Sequence, residues 1–148
     1  SQSVNQEEEK MFVQQTGSIQ ETQQVLEAYA TTHDTSLVAP DAVFHDIASG
    51  QDFIGREAIA GMLHYVYNVA FEARAENVRT VVGDGAAVLE AFVVGTHTGE
   101  FAGVPATGKP VRIPLVVSYR IGDGQVQEAH VYLLVASFLQ QVGAGETP

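Results

Sequence analysis

Two periods of hydrophobic residues follow one another along the chain, and they predict helices first and strands after them. Behind Ser18-Ile19-Gln20-Glu21, which is typical of a helix capping box, apolar residues recur every three or four positions to about Thr32. The stripe of this first helix consists of Ile19, Thr22, Val25, Leu26 and Tyr29. A second helix is predicted to open at Gly55-Arg56-Glu57, and its buried stripe consists of Ile59, Met62, Leu63, Val66 and Val69.

From Phe71 onward the period changes to two, which predicts β-strands near 72–82, 86–98, 111–121 and 125–135. Asp84-Gly85 and Asp123-Gly124 separate these runs, and an Asp-Gly pair between alternating runs is a strong hairpin signal. Short strands are predicted at 41–46 and 53–54, and a last helical turn at 137–141. This order indicates an α+β fold with helices packed on one face of a curved antiparallel sheet, enclosing an apolar cavity.

The composition is that of one acidic globular domain. At 148 residues the chain forms one domain, which we place at 18–142 between a polar acidic tail at 1–17 and a C-terminal tail at 143–148. The net charge of −11 disfavours binding to nucleic acid or to an anionic membrane. The absence of cysteine excludes disulfides, thiolate zinc sites and cysteine nucleophiles. A polar N-terminus and the lack of an apolar run of about 20 residues lead us to expect a cytoplasmic protein.

Five short stretches carry a resemblance to a known family: Val43-Phe44-His45-Asp46, Ile54-Gly55-Arg56-Glu57-Ala58-Ile59, Gly95-Thr96-His97-Thr98-Gly99-Glu100-Phe101, Gly103-Val104-Pro105-Ala106-Thr107-Gly108-Lys109, and the hairpin from Tyr119 to Glu128. With them, the chain resembles the nuclear transport factor 2-like superfamily and, within it, the SnoaL-like polyketide cyclase branch, over about residues 18–140. The resemblance implies a cone-shaped sheet wrapped over the helices. That fold hosts cyclases, isomerases, dehydratases, epoxide hydrolases and plain binding proteins.

Several positions depart from the pattern of these relatives. Val117 and Leu134 stand where relatives often carry acids, and His130 stands where they often carry tryptophan. Asp46 matches the catalytic base of the ketosteroid isomerases of the superfamily, whereas Leu63 replaces their hydrogen-bonding tyrosine. A copy of the steroid isomerase site is therefore not expected.

The last hairpin supplies the first candidate catalytic residue. A two-residue turn at Asp123-Gly124 predicts that Val117 faces His130, and in the same register Leu115 faces Tyr132 and Tyr119 faces Glu128. By resemblance this is the concave face, which places the imidazole of His130 in an apolar cavity, where it could act as an acid or a base. The alternative is a core histidine bonded to a carbonyl or a tyrosine.

Asp46, at the end of the first strand, is the second candidate catalytic residue. It would act as a general base or orient His130 in an Asp–His dyad. The alternative is an aspartate that caps a turn at Ser49-Gly50. The residues expected to bind the substrate are Tyr29, Phe44, Met62, Val66, His97, Leu115, Val117, Tyr132 and Leu134. For His97, at the cavity mouth, a hydrogen bond that serves the strand end is the alternative.

The remaining histidines and an outer strand face suggest surface roles. His45 should point away from Asp46, toward solvent or a dimer contact, and His64 and His33 are expected to be solvated or in a loop. The sequence contains no HExxH, no HxH and no 2-His-1-carboxylate spacing, so we expect no metal and no cofactor; a metal site could only be assembled from scattered residues. Superfamily members usually pair through the outer face of the sheet, where Val131, Leu133 and Val135 are expected, so we expect a homodimer.

Three functions compete. The first is a cofactor-independent enzyme that uses acid–base chemistry on a small hydrophobic carbonyl compound; the resemblance implies aldol-type cyclisation, and isomerisation or dehydration (a lyase reaction) would use the same residues. The second is a binding module that holds an apolar small molecule without reaction. The third is epoxide hydrolysis, which would need an Asp–Arg–Asp array whose second aspartate cannot be placed.

Overall fold

The structure is a computed structural model that describes residues 18–144. The predicted tail at 1–17 and residues 145–148 of the predicted C-terminal tail lie outside the described residues. The elements, in chain order, are α1 (18–32), a 3-10 turn (Thr35–Leu37), β1 (Val38–Asp46), β2 (Gln51–Ile54), α2 (Arg56–His64), a π-helical turn (Tyr65–Ala70), β3 (Phe71–Val82), β4 (Ala86–His97), β5 (Pro110–Gly122), β6 (Gln125–Leu133) and α3 (Val135–Gln141).

The six strands form one curved, unclosed sheet in the order β2-β1-β6-β5-β4-β3. β1 pairs with β6 in parallel, and every other neighbouring pair is antiparallel. Buried and more exposed positions alternate along β4 and β5, so one face of the sheet packs against the rest of the chain. The predicted α+β fold with its curved sheet is confirmed.

The helices bury most of the predicted stripes, with two exceptions. Thr22, Leu26 and Tyr29 of α1 are buried, whereas Ile19 is exposed. Val69 is also exposed, and Ala70 is buried in its place. The α-helical period fails here because Tyr65–Ala70 form a π-helical turn, whose wider spacing moves the inward position by one residue.

The predicted pairing of the last hairpin is wrong beyond the turn. Asp123 and Gly124 both have positive φ (53° and 72°), as a tight hairpin turn requires, and Gly122 pairs with Gln125. The register then shifts at a bulge in which Gln127 is the extra residue, so Val117 faces Val131 and His130 faces Ser118. A shift of one residue turns every following side chain of β6 to the opposite face.

No helix within residues 18–144 is long and apolar enough to cross a membrane.

Candidate functional site

An open pocket of about 810 Å³ lies against the inner face of the sheet. Its walls come from β1, β6, α2, the π-helical turn and the loop that follows β4. Most of its lining is apolar: Phe44, Phe53, Ala58, Met62, Val66, Phe101, Val131, Leu133 and Val135. A pocket of this size and character fits a drug-sized hydrophobic molecule.

Asp46 is a polar group on the wall of this pocket. It ends β1 on the same face as the buried Phe44, because side chains two positions apart share a face of a strand. The Oγ of Ser49 donates a hydrogen bond to Oδ2 of Asp46 (2.7 Å), and the backbone N–H of Gly50 donates to the Asp46 carbonyl (2.8 Å). Asp46 thus both lines the pocket and forms hydrogen bonds within the turn between β1 and β2. Its role as a general base stays a prediction.

A smaller inner chamber of about 70 Å³ lies next to the pocket, and the two spaces share the lining residues Phe44, Met62, Val66, Val131 and Leu133. Its polar lining consists of His33 and the tyrosines Tyr29, Tyr67 and Tyr119. Among residues 18–144, none of these three hydroxyls has a hydrogen-bond partner. A ligand that reaches the chamber therefore meets hydroxyl donors that the protein does not use itself.

Burial controls the protonation of these side chains. Desolvation raises the pKa of Tyr67 to about 12 and, together with neighbouring tyrosines, raises the pKa of Tyr29 and of Tyr119 above its ordinary value. Desolvation lowers the pKa of His33, whose ring lies 4.9 Å from that of Tyr67. At neutral pH the tyrosines are therefore hydrogen-bond donors and His33 is uncharged.

The predicted Asp46–His130 pair does not form. Asp46 faces Val131 and His45 faces His130 across the parallel β1–β6 pair, so Asp46 points into the pocket and His130 lies on the opposite face of the sheet. The placement of His130 in the cavity is wrong because of the bulge at Gln127.

The same shift corrects the predicted placement of five further residues. Tyr132 and Leu134 are 43% and 46% exposed and do not line the pocket or the inner chamber. Val131, Leu133 and Val135, which were expected on an outer dimer face, line the pocket instead. The other predicted substrate-binding residues lie on the walls of the two spaces: Phe44, Met62 and Val66 on both, and Tyr29, Leu115 and Val117 on the inner chamber. Their role in binding stays a prediction.

His97 is fully buried, and the prediction that it lies at the cavity mouth is wrong. Its Nδ1 is 2.9 Å from Oγ1 of Thr107 and accepts the Thr107 backbone N–H at 3.3 Å. Its ring packs edge-to-face on Phe138 with centroids 4.9 Å apart, and its Nε2 has no partner within the described residues. His97 therefore anchors the loop between β4 and β5, which agrees with the alternative that the sequence offered.

A second polar cluster lies on the outer face of the sheet. His45 Nδ1 is 2.8 Å from Oδ1 of Asp52 and its Nε2 is 3.0 Å from Oε2 of Glu128. The rings of His45 and His130 stack with centroids 4.6 Å apart. The hydrogen bonds to Glu128 and Asp52 raise the pKa of His45, and the bond to His45 lowers the pKa of Glu128. The predicted outward direction of His45 is confirmed by this geometry.

Sequence reasoning underrated the inner tyrosines and the inward residues of β6. The hairpin register predicts Tyr119 on the concave face but gives it no role, and the sequence pattern gives none to Tyr67. The alternation of Ala129, Val131 and Leu133 was the available signal for the inner face of β6, because apolar residues at every second position mark a buried strand face.

The sequence matches a known family over most of its length. The family profile of SnoaL-like polyketide cyclases matches residues 17–142. The chain belongs to the SnoaL-like polyketide cyclase family. No curated protein has detectable sequence similarity to it.

Solved structures of SnoaL-like proteins share the fold. A candidate SnoaL-like polyketide cyclase of Jannaschia sp. CCS1 is 17% identical, with 86% of this chain and 94% of that chain covered and a TM-score of 0.75. IdmH, a candidate polyketide cyclase of Streptomyces antibioticus, is 26% identical, with 84% and 97% covered and a TM-score of 0.67. AclR, a candidate hydroxylase of Streptomyces galilaeus, is 21% identical, with 84% and 97% covered and a TM-score of 0.70. The family match supports a small-molecule role of the cyclase or isomerase type.

Proposed function

We propose that this SnoaL-like protein is a cofactor-independent enzyme that removes an acidic proton from a small hydrophobic carbonyl compound, with Asp46 as the general base. The observation that carries the proposal is the polarity of the pocket: the carboxylate of Asp46, with that of Glu100 the second one on a mostly apolar wall, and tyrosine hydroxyls in the inner chamber that have no partner among the described residues. Apolar walls with a few convergent polar groups are typical of sites that bind and orient an organic substrate.

The reaction needs only groups that the chain itself supplies. The Asp46 carboxylate takes a proton from the carbon next to the carbonyl, and the electron pair of that C–H bond moves to the carbonyl oxygen. A hydroxyl of the inner chamber, such as that of Tyr119, donates a hydrogen bond to this oxygen and stabilises its negative charge. In an aldol-type cyclisation the enolate carbon then attacks a second carbonyl of the same molecule, and the new alkoxide takes up the proton that Asp46 holds, which restores the carboxylate. Return of the proton to another carbon would give isomerisation.

The spacing of the polar groups supports this assignment. Asp46 lies two positions beyond Phe44, about 7 Å along the strand, and Phe44 lines both the pocket and the inner chamber. A bicyclic ketone bound beside Phe44 would present its carbonyl end to the tyrosines and a neighbouring carbon to Asp46.

The test follows exchange of the α-protons of 2-tetralone and acetophenone in D2O by NMR, with and without the protein. We expect the protein to accelerate exchange above the buffer rate, and Asp46→Asn to lower that acceleration by about 10²–10⁴-fold. The matched control is Asp41→Asn, which removes an exposed carboxyl from the same strand outside the pocket and should keep the rate. An Asp46→Asn protein that folds and keeps the full rate would overturn the assignment.

A ligand carrier is the second candidate, and one observation favours it. The Asp46 carboxylate already accepts a hydrogen bond from Ser49, and the pocket lining is otherwise mostly apolar. A carrier would bind 2-tetralone without accelerating its exchange, Asp46→Asn would change the affinity only modestly, and binding would vary little with pH. Epoxide hydrolysis receives no support, because Asp46 is the only aspartate and no arginine is present among the described residues that line the pocket.

A further inference from the structure

The outer face of the sheet carries a cluster of histidines and carboxylates that the pocket chemistry does not use. β1 and β6 run in parallel with His45 directly opposite His130, and Val43 opposite Glu128. Glu128 and His130 are two positions apart on β6 and therefore share the outer face with His45. The strand pairing thus brings the imidazole of His45 to a carboxylate and a second imidazole that lie 83 or more positions further along the chain.

The geometry of these three side chains suits a small cation. One nitrogen of each ring and one oxygen of Glu128 all lie within 4.8 Å of one another, and His45 Nε2 and Glu128 Oε2 are already 3.0 Å apart. An ion with bonds of about 2.0–2.2 Å separates neighbouring ligand atoms by about 3.0–3.5 Å. The groups need to close by little more than an ångström, and the three residues are only half-buried, which leaves their side chains room to move.

Two of the three ligands, His45 and Glu128, are also oriented by a neighbour. Asp52 on β2 lies 2.8 Å from Nδ1 of His45, which directs the other ring nitrogen toward Glu128. A carboxylate behind a histidine in this way is the usual support of a metal-binding imidazole. Arg120 on β5 lies 3.8 Å from Oε1 of Glu128 and leaves Oε2 facing His45. Within the described residues the ring of His130 has no hydrogen-bond partner.

We propose that His45, Glu128 and His130 form a binding site for a divalent transition-metal ion of the zinc type on the outer face of the sheet. Two imidazoles and one carboxylate are ligands that zinc and cobalt(II) accept, and a fourth position remains open to water or to a further ligand. The overall charge of −11 favours the approach of a cation. The site is separated from the pocket by the sheet, so it stands independently of the proposed acid–base function.

The test titrates the metal-free full chain with Co²⁺, followed by its visible absorption, and with Zn²⁺, followed by calorimetry. We expect one equivalent to bind, and we expect His130→Ala and Glu128→Gln to abolish this binding. Asp52→Asn keeps all three ligands and should weaken binding by roughly 10–100-fold, as loss of the support behind a metal-bound histidine typically does.

The matched control is His64→Ala, which removes an exposed histidine from α2 on the other side of the molecule and should leave the metal affinity unchanged. Thermal unfolding without metal checks that each variant is folded. Glu128→Gln keeps the shape of the side chain and is therefore the variant least expected to disturb the fold. Failure of the wild-type chain to bind either ion would overturn the proposal. So would binding that persists unchanged in His130→Ala and Glu128→Gln.

Discussion

His97 is buried among aromatic rings and holds the loop that borders the pocket. Besides its bond to Thr107, its backbone donates to Lys109 and accepts from Gly108, so the imidazole and the main chain fix both ends of the loop. Phe101 of this loop packs against Phe71 and Phe138 and lines the pocket. His97 does not line the pocket itself and acts on it through this loop.

We therefore predict that His97→Ala destabilises the protein by about 2–4 kcal/mol, because it leaves a cavity among aromatic rings and removes the bonds of the imidazole to Thr107. Thr107→Val, which removes only the hydroxyl, should cost about 1 kcal/mol. Urea unfolding measures both values. A loss in His97→Ala no larger than that in Thr107→Val would contradict the role of the ring as a packed anchor.

His33 gives the stability of the protein a pH dependence of defined sign. Burial beside Tyr29 and Tyr67 lowers its folded pKa below the unfolded value of about 6.5. Its contribution is therefore fully present above pH 6.5 and is lost as the pH falls toward the folded pKa, since the unfolded chain binds the proton more readily.

We expect His33→Gln to lose less stability than the wild type between pH 7.5 and pH 5.5 in urea unfolding. The pKa of His45 is raised by Glu128 and Asp52, so His45 acts in the opposite direction, but equally in both proteins. Equal losses in the wild type and in His33→Gln would contradict the burial of a neutral imidazole.

At the scale of elements, the Gly-Thr-His-Thr-Gly stretch joins β4 to its neighbours at close range. A Cβ at Gly95 would lie 2.0 Å from the Glu72 carbonyl oxygen of β3, and one at Gly99 would lie 2.5 Å from that of Val69. Thr98 donates to the same Val69 carbonyl at 3.0 Å. Close packing of the backbone therefore explains why glycine stands at both ends of this stretch.

Gly95→Ala should destabilise the protein by at least about 1–3 kcal/mol, because backbone of β3 must move to admit the methyl group. The control is Gly61→Ala in α2, where the added Cβ meets nothing within 4 Å and alanine favours the helix by about 0.5–1 kcal/mol. Thermal unfolding compares the two variants. A Gly95→Ala protein as stable as Gly61→Ala would rule out the close approach.

The helices and strands were largely predictable from the sequence. Which face of the sheet each side chain of β6 lies on was not. The periods and the two Asp-Gly turns place the strands to within a few residues, because alternation and turn chemistry are local properties. The bulge at Gln127 depends on how β6 fits β5, with Gln127 Nε2 donating to the Gly122 carbonyl at 2.8 Å. Counting residue pairs from the turn therefore predicts that His130 faces inward. The alternation of the apolar residues Val131 and Leu133 indicates correctly that these two residues face inward instead.

The candidate site was predictable only where it rests on single strands or helices. Asp46, Phe44, Met62 and Val66 lie on the pocket as the local pattern indicates. The inner tyrosines and the outer histidines come together across distant elements, through packing that a single sequence does not display.

At the scale of the whole molecule, we propose a homodimer through the outer face of the sheet. Val131, Leu133 and Val135, which the sequence predicts on this contact, line the pocket. The outer face exposes other apolar residues, namely Val81, Val88 and Tyr132. Val81 and Val88 are paired across β3 and β4 and form one apolar area.

Sedimentation velocity should therefore show a dimer for the wild type and a shift toward monomer for Val88→Lys, since a charge in an apolar contact must be desolvated. Tyr65→Lys, which places the same charge at an exposed residue of the π-helical turn, should remain dimeric. A wild-type chain that sediments as a monomer would contradict this arrangement.

We infer that the pocket and the inner chamber together present a carbonyl compound to Asp46 and to the inner tyrosines. A crystal structure of the protein with bound 2-tetralone tests it most directly. We predict that the carbonyl oxygen lies within about 3.2 Å of the hydroxyl of Tyr29, Tyr67 or Tyr119, and that the neighbouring carbon faces the Asp46 carboxylate at about 3.5 Å. A ketone that binds elsewhere, or whose α-carbon points away from Asp46, would contradict the role of Asp46 as the general base.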